Sequence, residues 1–355
     1  MKDSATRYER SPHLLLEWEP GKDGATVFNP DARRTFRVDA ALVNLLGHLN
    51  QPLTVSEIGQ RWKETPSNDR LAGLLSQLTD AGLVRTSAPS WSARAVTAPA
   101  WTACELAVHW QAGRGPQADA RFGEPPPARL NHPEATAIVA LPDGDPALPS
   151  HPLAELFTCR RSIRRYARQP LPLSLLAALL HRAARVQRRE NARDERGTLG
   201  EVTQRPAPSG GARHSLEIYL VARDIAGLAT GAYHYDPFDH ALHQLGPWTS
   251  ELEQTLDRTT VQAAQMNAPP PASLYLASYA ARTTWKYQGM ALSLIYRDAG
   301  CLLQTLTLAA TDVGLASCIT ARLEAPITAP FLRGRDQEFV HAGNLALGLP
   351  CQAPT

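Results

Sequence analysis

No two of the five cysteines (Cys104, Cys159, Cys301, Cys318, Cys351) form a Cys-x-x-Cys pair. Neither a disulfide framework nor a zinc site is therefore indicated, and free thiols are expected. No apolar run approaches the roughly 18–20 residues that a membrane-spanning helix needs. The first residues, Met1-Lys2-Asp3-Ser4-Ala5, lack the apolar core of a signal peptide, so the cytoplasm is the expected compartment. No Gly-x-Gly-x-x-Gly or Walker pattern stands where a strand meets a helix, so the two common nucleotide-binding loops are missing. Charge surplus is small as well: 36 Lys and Arg against 34 Asp and Glu give a formal +2, too little to argue for nucleic acid or a membrane surface.

What is present is a 355-residue chain, 43% hydrophobic, long enough for one large domain and a smaller one. Its positive charge is local. Arg160-Arg161-Ser162-Ile163-Arg164-Arg165-Tyr166 sets four guanidinium groups around a hydroxyl. Guanidinium forks match phosphate oxygens two at a time, so this composition suits a phosphate monoester. On composition alone a solvated face explains it equally well.

Residues 1–90 read as a small winged-helix-like module. Short strands are expected at Leu14-Leu15-Leu16, Val27-Phe28 and Phe36-Arg37-Val38, and a helix over 40–49. Thr54-Val55-Ser56-Glu57 has capping-box form. Leu71, Leu74, Leu75 and Leu78 follow helical spacing, Gly82 ends that helix, and Leu83-Val84-Arg85 reads as a strand. The second helix has one arginine against two aspartates, a poor complement to a polyanion, so packing or peptide contact fits better than DNA binding. Residues 91–150, with Gly113-Arg114-Gly115-Pro116 and Pro125-Pro126-Pro127, read as a linker or strap, with Trp101 and Trp110 as possible anchors.

Residues 151–355 alternate strands and helices irregularly. Pro172 opens a helix carrying Leu173, Leu176, Ala177 and Leu180, and 187–203 reads as a charged, mobile loop. Strands are expected over 216–222 and 273–279, a hairpin around Asp236-Pro237-Phe238-Asp239, a long apolar helix over 288–313, and closing strands over 315–320 and 339–347. This is an α+β pattern. Pro208-Ser209-Gly210-Gly211 is either a turn or a place where backbone amides approach a flat ligand. Lys286 and Tyr287 are adjacent proton-bearing groups, read from composition alone as an exposed lysine and a packed tyrosine.

The order of these pieces resembles one family. Arg-Arg-Ser-x-Arg is followed by Pro-Leu-x-x-Leu-Leu-x-x-Leu-Leu, Arg-Pro-x-Pro-Ser-Gly-Gly, Gly-x-Tyr-His-Tyr-Asp-Pro, Trp285-Lys286-Tyr287, Tyr296-Arg297-Asp298-Ala299-Gly300, Gln304 and Gly314-Leu315. Over roughly residues 150–350 this is similar to the SagB-type dehydrogenases of the nitroreductase superfamily. The resemblance implies a nitroreductase-like, mostly antiparallel central sheet flanked by helices, and a homodimer with FMN at its interface. It implies that Arg160, Arg161, Ser162 and Arg164 hold the FMN phosphate and ribityl chain. Pro208, Ser209 and Gly210 would lie against the isoalloxazine from the partner subunit, with Gln304 and Gly314-Leu315-Ala316 at the flavin.

Lys286 and Tyr287 match the pair proposed as catalytic in azoline oxidation, with a desolvated, neutral lysine as base and dioxygen reoxidising the flavin. The implied substrate is a thiazoline or oxazoline in a peptide, free or carrier-tethered, supplied by a cyclodehydratase or a peptide synthetase. The alternatives are an NAD(P)H-dependent nitroreductase or flavin reductase, another peptide-tailoring flavin dehydrogenase, and an idle peptide-binding scaffold. Two departures from the pattern stand out: Cys301 follows Ala299-Gly300 where the family often has His, and no Arg or Lys follows Leu349-Pro350.

Overall fold

The computed structural model describes residues 6–18, 21, 23–30, 32, 34–62, 67–87, 102–113, 123–143, 148, 150–194 and 197–351. The chain divides into two compact units, Met1–Gly115 and Pro116–Thr355. Trp101 and most of Gly113-Arg114-Gly115-Pro116 lie outside the described residues.

In the first unit, β1 (Arg7–Arg10) precedes an antiparallel meander of β2 (Leu15–Trp18), β3 (Ala25–Asn29) and β4 (Arg34–Val38). Helices α1 (Ala40–His48), α2 (Val55–Arg61) and α3 (Asn68–Asp80) follow, and β5 (Val84–Ser87) returns to pair with β1. The Thr54 capping box forms: the Glu57 amide donates to Thr54 Oγ1 at 3.3 Å and the Thr54 amide donates to Glu57 Oε2 at 2.7 Å. Leu71, Leu75 and Leu78 are buried on α3 against Val27, Leu45 and Ile58. Trp110 lies in a further helix, α4 (Ala103–Gly113), with its ring 4.5 Å from that of Phe28.

The second unit is built on a seven-stranded sheet. Its strands are β6 (Ala137–Ala140), β10 (Leu216–Ala222), β12 (Gly231–Asp236), β13 (Ala241–Pro247), β14 (Ala272–Tyr279), β15 (Ala316–Thr320) and β16 (Phe339–Gly348). They lie in the order β15-β16-β14-β10-β12-β13-β6, every neighbouring pair antiparallel. Outside the sheet are α5 (Leu153–Cys159), β7 (Leu171–Pro172), α6 (Leu173–Ala184), a hairpin of β8 (Arg188–Asp194) and β9 (Gly197–Gln204), and β11 (Ile225–Ala226). Helix α7 (Ser250–Leu256) runs through a π turn into α8 (Gln262–Ala264), and α9 (Ala281–Thr284) precedes α10 (Ala291–Asp312).

Strand β10 is buried at all seven positions because both faces of the sheet are covered. Leu216, Ile218 and Leu220 face the core made with α6 and α10, including Leu176, Leu180, Ile295 and Leu306. Glu217 and Tyr219 face the other layer, where Leu130, Ala329, Phe331 and Leu332 pack. The fold is α+β, as the irregular alternation implies.

The hairpin β8–β9 corrects the reading of 187–203 as a mobile loop. The segment lacks the apolar alternation that marks a strand, and it pairs instead through its backbone ladder. Two further features anchor it: Arg189 Nε donates to Glu201 Oε1 at 2.5 Å, and Val202 and Thr203 are buried. Polar cross-strand pairs stabilise a ladder as apolar ones do, without leaving a period-two signal.

Candidate functional site

Strand β9 leads into the turn Pro208-Ser209-Gly210-Gly211, which closes as a short 3-10 segment before β10. Gly211 has φ of 61°, a left-handed conformation that costs a residue with a Cβ roughly 1–2 kcal/mol. A Cβ built there would meet Tyr287 Oη and would lie 2.9 Å from Lys286 Nζ. The two heads thus converge on the place that a Cβ of residue 211 would take, and a larger residue there would push them aside.

Lys286 and Tyr287 reach this position from the end of α9, where Trp285 is buried and its indole Nε1 donates to the Gly123 carbonyl at 3.2 Å. Both side chains are half-buried. Burial, and next the charge of Asp298, raise the Tyr287 phenol above its ordinary pKa, so the hydroxyl keeps its proton at neutral pH. The sequence reading of an exposed lysine is thereby replaced by a lysine head over Gly211.

Asp298, on α10, lies beneath the turn. Ser209 Oγ donates to its Oδ2 at 2.6 Å, and the Gly210 amide donates to both carboxylate oxygens at 3.1 and 3.2 Å. The His214 amide donates to Ser209 Oγ at 3.0 Å, closing the turn. Asp298 falls within the Tyr296-Arg297-Asp298-Ala299-Gly300 motif, whose spacing assigns it no role. The signal was available: an aspartate interrupts the apolar stripe Ile295, Ala299, Leu302.

A layer of buried charge lies behind the turn. Glu217 accepts from Arg282 Nη1 at 2.5 Å and pairs with His234 Nε2 at 2.7 Å. Burial alone would raise its pKa, but Arg282 and His234 outweigh it and hold the carboxyl at about 2. Arg282, fully buried, also donates to the carbonyls of Pro127 and His214 at 2.7 and 3.0 Å. Burial, then the Arg205 charge, push His214 down to about 3.

The arginine cluster occupies a different place. After α5 the chain runs extended beside β15: Ser162 bridges Ser317, and the Ile163 amide donates to the Ser317 carbonyl at 2.9 Å. Arg160, Arg161, Ser162 and Arg164 are thus brought next to Gly314-Leu315-Ala316, the link from α10 into β15. Arg161 and Arg164 are exposed, Arg160 half-exposed. Among the described residues no carboxylate pairs with these three guanidiniums. Gln304 is exposed on α10 between the two groups. Asp298, under the turn, lies in the first half of α10, whereas the arginine cluster lies beside the strand that follows the C-terminal end of that helix.

The profile of the Nitroreductase family matches residues 158–343. A protein of Methanocaldococcus jannaschii named as a nitroreductase is 30% identical over 168 residues, covering 46% of this chain and 76% of that protein. The trifolitoxin-processing protein TfxB of Rhizobium leguminosarum bv. trifolii is 35% identical over 71 residues, 20% of this chain and 19% of that protein. A chain of the E. coli McbBCD microcin synthetase complex superposes with a TM-score of 0.41 at 19% identity, covering 59% of this chain and 77% of that one.

Proposed function

The chain belongs to the nitroreductase family, and from that premise we propose that it is an FMN-dependent dehydrogenase that oxidises a thiazoline or oxazoline ring of a peptide to the aromatic azole. The observation that carries the reading is the convergence of Lys286 Nζ and Tyr287 Oη on Gly211. A basic and an acidic head held together over an open backbone form a proton-handling site. The peptide substrate is supported by the similarity to a trifolitoxin-processing protein, within the short stretch it covers.

The residues present fit FMN. Arg160, Arg161 and Arg164, exposed beside Ser162 and without carboxylate partners among the described residues, are a donor set for a phosphate monoester. They would hold the phosphate and ribityl chain, with Gly314, Leu315 and Ala316 at the flavin edge and Gln304 reaching it from α10. Pro208, Ser209 and Gly210 would face the isoalloxazine. The arginine cluster lies beside β15 and the turn against Asp298 of α10, and the reading draws the one from one copy of the chain and the other from a second copy, as a homodimer.

Bound FMN supplies the hydride acceptor. The ring being oxidised gives up two hydrogens, one as hydride and one as a proton. Lys286 Nζ, as the free amine, takes the proton, and Tyr287 Oη, still protonated, donates a hydrogen bond that orients the ring. The first unit serves as a peptide contact: β2 is an edge of its meander and exposes Leu16 and Trp18, an open strand and apolar side chains of the kind an extended peptide can pair with.

The test uses purified protein reconstituted with FMN and a synthetic thiazoline peptide. The expected result is loss of the mass of two hydrogens without added NAD(P)H, abolished by Lys286→Ala with Tyr287→Phe while flavin stays bound. A double variant that forms azole at the original rate removes the assignment. Arg160→Ala and Arg164→Ala should each weaken flavin retention, and fully yellow variants would contradict the phosphate site. The match to a protein named as a nitroreductase supports a second reading, an NAD(P)H-dependent reductase, which rapid bleaching of the flavin by NADPH would favour.

A further inference from the structure

We propose that Asp298 is a positioning residue: from the buried face of α10 its carboxylate clamps the Pro208–Gly211 turn, and through the turn it sets where Gly211 lies beneath Lys286 and Tyr287. What the turn faces rests on the flavin reading; the clamp itself does not.

The carboxylate occupies an unfavourable location. Asp298 is 8% exposed and sits in the stripe of Ile295, Ala299 and Leu302, where an apolar side chain would pack without the cost of burying a charge. Among the described residues it forms no salt bridge, and its hydrogen-bond partners there are the Ser209 hydroxyl and the Gly210 amide. A buried carboxylate satisfied only by neutral donors of one turn has that turn as its function. Its oxygens fix two consecutive residues at once, which sets the direction of the backbone as well as its distance.

Packing by itself does not fix the turn. A cleft lies behind it, lined by Ser209 and Asp298 together with Arg205, His214 and Glu217. On the α10 side, Leu294, one helical turn before Asp298, supports Gly210, its Cδ2 lying 3.3 Å from the place a Cβ would take. Leu294 limits how closely the turn approaches the helix, and Asp298 prevents it from lifting away. The charge also reaches the reacting pair, because Asp298 is the second cause, after burial, that raises the pKa of the Tyr287 phenol.

Four variants test this: Asp298→Asn, which keeps shape and loses charge, Asp298→Ala, Ser209→Ala, and the double variant of Ser209→Ala with Asp298→Ala. In protein without flavin, amide exchange of the peptide spanning 208–214 should speed up about 10-fold to 100-fold in Asp298→Ala, since hydrogen bonds to a charged acceptor are the strong ones. Exchange in β10 and β14 should not change, and Asp298→Asn should fall between. In FMN-loaded protein, the flavin Kd should rise about tenfold with a shift of the visible band, and the double variant should be no worse than Asp298→Ala alone. Unchanged exchange at 208–214, a melting-temperature loss with native exchange and native Kd, or additive effects of the two residues would overturn the clamp. A wild-type protein that fails to bind FMN would overturn the flavin reading instead, and the exchange experiment would still decide the role of Asp298.

Discussion

Gly211 is the residue at which the local backbone and the proposed chemistry meet. Its φ of 61° and the Lys286 head 2.9 Å from any added Cβ make Gly211→Ala unfavourable twice over, by backbone strain and by displacing the pair. We expect this variant to keep its fold and its flavin but to lose about 100-fold in azole-forming kcat, the size of effect that a roughly 1 Å misplacement produces. Steady-state rates beside the flavin absorbance check it; an unaltered kcat would mean that the two heads are not held where they act. The converse residue is Glu217, whose role lies in cohesion.

At the scale of elements, the Glu217–Arg282 pair holds together parts that are distant in sequence. Arg282 belongs to α9, Glu217 to β10 and His234 to β12, while Arg282 Nε also fastens the segment containing Pro125-Pro126-Pro127. That segment is further pinned by Arg129, which pairs with Asp236 and Asp239 at the end of β12. The proline run is therefore a strap within the second unit, and its Pro127 carbonyl is one of the acceptors that the internal Arg282 needs. Glu217→Gln should destabilise the fold by about 3–5 kcal/mol, because it leaves the fully buried Arg282 charge without its partner. Urea unfolding measures this, and a loss below about 1 kcal/mol would show that the pair is not what unites these elements.

At the scale of the whole molecule, acid lability follows from buried histidines. Burial holds His132 and His341 at about 4 and His214 at about 3, with His234 adding to the effect on His132 and Arg205 to that on His214. His341 shows why: its Nδ1 accepts from the Glu324 amide at 2.7 Å, so the ring must stay neutral at that atom. In the unfolded chain such a ring binds a proton below about pH 6.5. Unfolding therefore takes up protons, and the stability present above that pH is lost progressively as the pH falls toward 4. Glu217, held at about 2, contributes stability above the unfolded carboxyl pKa and begins to lose it only below about pH 4.5, so the histidines respond first. The urea midpoint should fall between pH 7 and 5, and His341→Gln should flatten that slope. A constant midpoint over this range would contradict the assignment of neutral buried rings.

The amino-acid sequence alone determined much of the element order. Capping at Thr54, the leucine spacing of α3, the apolar run of β10 and the long repeat of α10 are local patterns, set by periods that each element imposes on its own residues. The motif order also pointed to the nitroreductase superfamily, to which the chain belongs. Local pattern did not reveal the β8–β9 hairpin, whose ladder uses polar side chains, or the partner of the expected strap, an arginine 155 positions away that donates to the Pro127 carbonyl. Nor did it reveal the tasks of Gly211 and Asp298. These depend on which side chains arrive from other elements, Lys286 and Tyr287 from the end of α9 and Asp298 from α10. Such encounters are decided by how helices pack on the sheet, and sequence spacing carries no record of them.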